Sequence, residues 1–127
     1  VGETAGEGTM HIGELAERTG LSLRTIRHYD EVGLLKPTGR TEGGFRLYTQ
    51  GDIGRLMVIR RMKPLGFMLD EMTELLRIID TLGGIGSEDP AVRADLDGFI
   101  IQAVERRAKL QQQLAMADEF LALLRTQ

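Results

Sequence analysis

No cysteine occurs among the 127 residues. Its absence removes disulfides, thiolate metal ligands, cysteine-held iron–sulfur clusters and thiol redox sensing together. Aromatics amount to 5% and tryptophan is missing, so a core has to be assembled mainly from Leu, Ile, Val and Met. Charges interrupt every apolar run before it reaches membrane-spanning length. No secretory leader pattern opens the chain, and the expected address is cytoplasmic. Only His11 and His28 offer imidazole. Neither has a nucleophile nearby in sequence, and the carboxylates are scattered, so no catalytic constellation, metal site or cofactor site is expected.

What is present is unevenly charged. Residues 10–66 carry 10 Lys and Arg against 6 Asp and Glu, whereas residues 67–127 carry 6 against 11. A basic front half and an acidic rear half suggest that the front faces something anionic.

Residues 1–9 are Gly-rich and aperiodic, and read as a flexible tail. Ile12, Leu15 and Ala16 share one helical face, and Thr19-Gly20 ends that helix. Ser22 is placed to cap a second helix from Leu23 to about Val32, with Gly33 at the left-handed position beyond its end. Two short helices joined by a Gly-containing turn outline a helix-turn-helix. Pro37 and Gly39 then break helix, and Gly43-Gly44 signals a hairpin turn. A period of two places Phe45 and Leu47 inward and Arg46 and Tyr48 outward, in a two-stranded wing. Thr49 caps a helix over 51–63, ended by Pro64 and Gly66. Another spans 70–81, with Met72, Leu75, Leu76 and Ile79 on its inner face. The methionines Met57, Met62, Met68 and Met72, like Phe45 and Leu47, are expected in the core.

Gly83, Gly84 and Gly86 mark a hinge over 83–89, and Asp89-Pro90 starts a helix that runs to about Leu124. At 1.5 Å per residue this rod is roughly 50 Å long, too long for a chain of this size to bury. Ile100, Ala103, Arg107, Leu110, Leu114, Ala117, Leu121 and Leu124 alternate spacings of three and four, a coiled-coil seam with one charged member. A second copy of the chain is the simplest partner. The organisation expected is a tail (1–9), a DNA-binding head with two following helices (10–82), a hinge (83–89) and a dimerisation helix (90–125).

Along the second helix Arg24, Arg27, His28 and Glu31 fall on one side. On an isolated helix that side would more often be a solvated face. Here the helix is the second of a helix-turn-helix and is followed at once by a hairpin bearing Arg40, Arg46 and Tyr48. Arginine suits both phosphates and guanine edges, so the pattern reads as a helix for the major groove and a wing for the backbone.

The segments HIGELAERTGLSLRTIRHYDEVGLLKP, GGFRLYTQGDI and RRMKPLGFMLDEM, in that order and spacing, resemble the MerR family of bacterial transcription regulators. The resemblance covers about 10–76 closely. It implies an all-α fold with a small β-hairpin wing, in which a winged helix-turn-helix head leads to a long antiparallel coiled-coil dimerisation helix. It also implies that Arg27 and Tyr29 meet DNA from the recognition helix, with Arg24 and Thr25 nearer the bases and His28 beside them. Arg40, Arg46 and Tyr48 would contact from the wing, and Arg60 and Lys63 would lie near the second flank of the site. Tyr29 and His28 have plainer readings, as an edge packing residue and an exposed histidine. In such a family a homodimer binds double-stranded promoter DNA between the polymerase recognition elements and distorts it for RNA polymerase holoenzyme. Metal-sensing relatives use cysteines that are absent here. An unidentified small-molecule effector in a crevice between head and rod, a protein partner, or no effector then remain. A static repressor, an architectural DNA binder, or an adaptor pairing through the long helix are the other readings. Met68 stands where the family often has a Ser or Thr cap.

Overall fold

The structure, a computed structural model, describes residues 8–83 and 89–127. It divides into two compact units, one ending at Thr73 and the other beginning at Glu74. The division falls inside a helix, and 84–88 of the expected hinge lie outside the described residues. Residues 1–7 of the expected tail lie outside them as well.

The first unit starts with strand β1, Thr9–His11, which leads directly into helix α1, Ile12–Thr19. Gly20, at φ 70°, closes α1 with its N–H donating to Ala16 O. Thr19 is buried in the last turn, and its hydroxyl donates to Leu15 O at 2.8 Å. Helix α2, Leu23–Glu31, begins where Ser22 Oγ accepts the N–H of Thr25 at 3.0 Å. Its end is a Schellman motif. Gly33 sits at φ 80° and donates to Asp30 O, while Leu34 N donates to Tyr29 O at 2.9 Å. That turn delivers Leu34 and Leu35 into the interior, 3% and 1% exposed.

Strands β2, Gly39–Arg40, and β3, Arg46–Thr49, form the wing, and β1 adds a third, antiparallel strand in the order β1-β3-β2. The expected two-stranded hairpin is thus present and is extended by a third strand, and Thr9 belongs to a strand, not a tail. This third strand reverses the expected pleat. Met10 pairs with Tyr48, and both are buried. Residues directly opposite each other in a sheet share a face, so β3 turns Tyr48 inward and leaves Phe45 60% exposed. Leu47 is half-buried.

Helix α3, Gln50–Met62, starts at a Thr49 cap, with Asp52 Oδ2 accepting from Thr49 N at 2.8 Å. A 3₁₀ turn, Lys63–Leu65, follows and closes at Gly66, φ 81°. Leu15, Ile26, Leu56 and Ile59 are wholly buried where α1, α2 and α3 meet. Each such side chain contributes roughly 1.5–3 kcal/mol. Helix α4, Leu69–Leu82, spans the boundary of the two units. Met68 caps it and is 66% exposed, not core. Its N–H donates to Glu71 Oε1 at 2.8 Å, half of a capping box whose other half needs a hydroxyl. Further along, Ile78 is the buried residue and Ile79 is 37% exposed, one position off the expected face.

In the second unit helix α5, Pro90–Arg125, runs 36 residues from an Asp89 cap bonded to Ala91 N at 2.9 Å. None of its residues is buried. Among the described residues no helix is long and apolar enough to cross a membrane.

Candidate nucleic-acid interface

The first turn of α2 is held by Ser22, whose hydroxyl also donates to Thr25 Oγ1 at 2.8 Å. With the helix start fixed, Arg24, Arg27 and His28 are exposed while Ile26 is wholly buried on the opposite side. Leu23, at the start of the helix, is 40% exposed. Thr25 is half-buried, its oxygen engaged in the cap. Tyr29 is only 4% exposed. It packs in the core beside His28, ring centroids 5.9 Å apart, and its carbonyl receives both Leu34 N and Leu35 N. Tyr29 is thus first a packing residue.

The wing is braced from two directions. At its tip, Thr41 N donates to Phe45 O and Gly44 N to Thr41 O, both at 2.9 Å. Arg40 Nη1 donates to Gly44 O at 3.0 Å. At its root, Arg46 Nε lies 2.6 Å from Asp30 Oδ2, which ties β3 to α2. That nitrogen is shut off from solvent and makes an ion pair with the carboxylate rather than a well-aligned hydrogen bond.

Between these pieces lies a cleft of about 420 Å³ lined by His11, Ile12, Arg27, Arg40, Gly44, Phe45 and Arg46. Three guanidinium-bearing residues predicted from the sequence converge here, one from α2 and two from the wing. Asp30 offsets only one of them, so the cleft remains positive. Planar guanidinium groups offer several N–H donors each, an arrangement that matches phosphodiester oxygens. His11 and Phe45 were not foreseen as lining residues. Their rings meet edge to face, 6.1 Å between centroids at 85°. No local signal marks His11, because its place depends on β1 pairing with β3 far along the chain.

Two of the expected contact residues are engaged inside the head. Tyr48 is wholly buried, and its hydroxyl is shut off from solvent with no hydrogen-bond partner among the described residues. Burial, with the Asp30 carboxylate nearby, pushes its pKa above the ordinary tyrosine value. The reversed pleat explains why Tyr48 cannot point out of the wing. Arg60 reaches back across the fold, and its Nη1 donates to Thr19 O at 2.6 Å. It thereby satisfies a C-terminal carbonyl of α1 and clamps the turn between α1 and α2. Lys63 is exposed in the 3₁₀ turn, apart from the cleft-lining residues. On α5, the seam residues Ile100, Leu110, Leu114, Leu121 and Leu124 are 42–63% exposed; Arg107 and Ala117 are exposed and Ala103 is half-buried.

A recognition helix beside a β wing, with arginines from both meeting at one positive cleft, defines a winged helix-turn-helix protein of the DNA-binding class. The chain belongs to the MerR HTH family of regulatory proteins, whose family description matches residues 10–78. It is 40% identical over 94 residues to the mercuric resistance operon regulatory protein of Bacillus cereus, across 74% of this chain and 66% of that protein. To the HTH-type transcriptional regulator CueR of Salmonella typhimurium it is 34% identical over 116 residues, across 90% of this chain and 78% of that one. The chain thus spans just under two thirds of the first of these relatives. Its structure matches that of HiNmlR, a MerR family regulator lacking the sensor domain and bound to promoter DNA, with a TM-score of 0.66 and 26% identity, over 90% of this chain and 79% of that one. These relatives are transcription regulators, not enzymes.

Proposed function

We propose that the chain acts as a homodimeric, sequence-specific transcription regulator. Each head sets α2 in a major groove of promoter DNA and lays the wing on the backbone, while α5 joins the two heads. The observation that carries this reading is the cleft where Arg27, Arg40 and Arg46 converge from helix and wing. Arg24 and His28, exposed on the same helix, face the base edges, and Lys63 lies toward the flank. The exposed apolar seam of α5 supports pairing with a second copy. The HiNmlR complex with promoter DNA supports the DNA partner.

A dimer that grips two half-sites on one face of the duplex sets their spacing. We infer that it bends and untwists the DNA between the polymerase recognition elements, so that RNA polymerase holoenzyme engages the same promoter. Smooth bending of a short site costs on the order of 1–6 kcal/mol, supplied by the contacts that the bend permits. The work is cytoplasmic, on the nucleoid. Any effector, small molecule or protein, would bias two dimer shapes that both hold DNA. Among the described residues no group of three metal-ligating side chains is placed to hold an ion.

In vitro transcription on promoters with normal and shortened spacers tests the distortion. Dependence on the protein should vanish when the spacer is shortened. Equal dependence on both templates would leave a static repressor or architectural binder, and a lack of any duplex binding would leave the adaptor.

A further inference from the structure

The wing sets two of its arginines against each other. Arg40 of β2 pairs directly with Arg46 of β3, and residues opposite each other in a sheet share a face. Like charges so placed repel, and the arrangement needs a counter-charge. It comes from outside the sheet, where Asp30, near the end of α2, lies 2.6 Å from Arg46 Nε. The Asp30 side chain is 15% exposed and that of Arg46 29%, so the pair is screened less than one on the open surface. Asp30 has a closer candidate in sequence. Arg27 stands three residues back on the same helix, a spacing that suits an ion pair. Yet Arg27 makes none among the described residues. Asp30 is thus committed to the wing, and the arginine of the recognition helix is left open.

Resting on the DNA-binding reading above, we propose that Asp30 is a positioning residue for the grip on DNA. It occupies the Nε edge of Arg46 and so presents the Nη edge to a phosphate seated in the cleft between α2 and the wing. Nε is shut off from solvent, while the side chain lines the cleft. The two Nη nitrogens carry four N–H donors, enough for two phosphate oxygens at once. Because Asp30 belongs to α2, the backbone contact of the wing is tied to the helix that reads the bases. Without the carboxylate, Nε would be a closed-off charged donor lacking its partner, which is costly. The guanidinium would turn out to solvent and would have to be ordered again on each encounter with DNA.

Charge alone forecasts the opposite. A carboxylate beside the phosphates repels them, so its removal would tighten binding and steepen the salt dependence. Positioning reverses both signs. Anisotropy titrations of the full chain, on a duplex it selects and on a random one, read the difference over a range of salt. Asp30→Ala should weaken binding to both duplexes about five- to tenfold and lower the slope of log affinity against log salt by about 0.9, as one phosphate contact goes. Tighter or unchanged binding, or an unchanged slope, would overturn the assignment. In an Arg46→Ala background the same substitution should bring no further loss, whereas a fully additive loss would show that Asp30 acts through another part of the fold and would also overturn it.

Arg46→Lys keeps the charge, but an ammonium is a point donor without two fixed edges, so binding should fall about threefold or more. Wild-type affinity in that variant would contradict the two-edged role. Arg46→Lys leaves Asp30 in place, so it decides the matter even where Asp30→Ala does not fold. Wild-type affinity in Arg46→Ala would instead take the wing out of the DNA interface and sink the reading on which the assignment rests, a result distinct from the others.

Discussion

Replacing Tyr48 by phenylalanine separates the two roles a wing tyrosine can have. The fold buries the ring completely and leaves its hydroxyl closed to solvent, without a hydrogen-bond partner among the described residues. Burying a hydroxyl that makes no compensating bond costs about 1–3 kcal/mol on the scale of protein mutational data. Deleting it while keeping the ring therefore removes a penalty, and we expect Tyr48→Phe to be more stable than wild type by about 1 kcal/mol. Thermal and urea unfolding would register the gain. Duplex affinity should stay within about twofold of wild type, since the hydroxyl does not reach the outer face of the wing. The alkaline limb gives an independent check. With the folded pKa raised above the unfolded value of about 10, Tyr48 supports the folded state fully below that pH. The support is lost as pH rises from there through the folded value. In Tyr48→Phe that part of the alkaline decline should disappear. A variant less stable than wild type, or one that loses most of its DNA affinity, would refute the burial of this side chain and return it to the DNA-facing role.

Arg27→Ala should weaken binding to all duplexes about tenfold and lower the slope of log affinity against log salt by about 0.9, as one phosphate contact is lost; anisotropy with an unchanged slope would remove Arg27 from the interface. Gly20→Ala should cost about 1–2 kcal/mol, because the backbone is left-handed there and the new Cβ would stand 3.1 Å from Arg60 Nη1. In an Arg60→Ala background, part of that cost should disappear; fully additive unfolding energies would show that the clamp and the turn are independent. On the proposed pairing through α5, Leu114→Asp should leave monomers in sedimentation where wild type is dimeric, since it sets a carboxylate into an apolar seam, and an intact dimer would contradict that role of α5.

Much of the fold was legible wherever a local residue dictates local backbone. Ser22 caps α2, Gly20 and Gly33 close two helices at left-handed positions, and Asp89-Pro90 opens α5 where expected. Arg27, Arg40 and Arg46 were likewise readable as a set, because a helix-turn-helix followed by a hairpin leaves few ways to place them. What stayed hidden depends on partners distant in sequence. β1 has three residues and no periodicity, and it exists only through its pairing with β3. That pairing sets the pleat, so missing β1 reversed Phe45 and Tyr48 and concealed the share of His11 in the cleft. Arg60, expected near the second flank of the site, also meets a carbonyl 41 residues earlier, a contact no local pattern marks. Met68 looked like core by its chemistry, but it stands at a helix start that faces solvent.

The central claim is that two identical arginine-bearing heads hold one duplex about a two-fold axis. Hydroxyl-radical footprinting on a duplex selected by the protein from random sequence tests it most directly. The account predicts a palindromic selected site with two protected patches on one face, related by symmetry, and weakened in Arg27→Ala. No selected consensus, or one asymmetric patch left unchanged by Arg27→Ala, would contradict it.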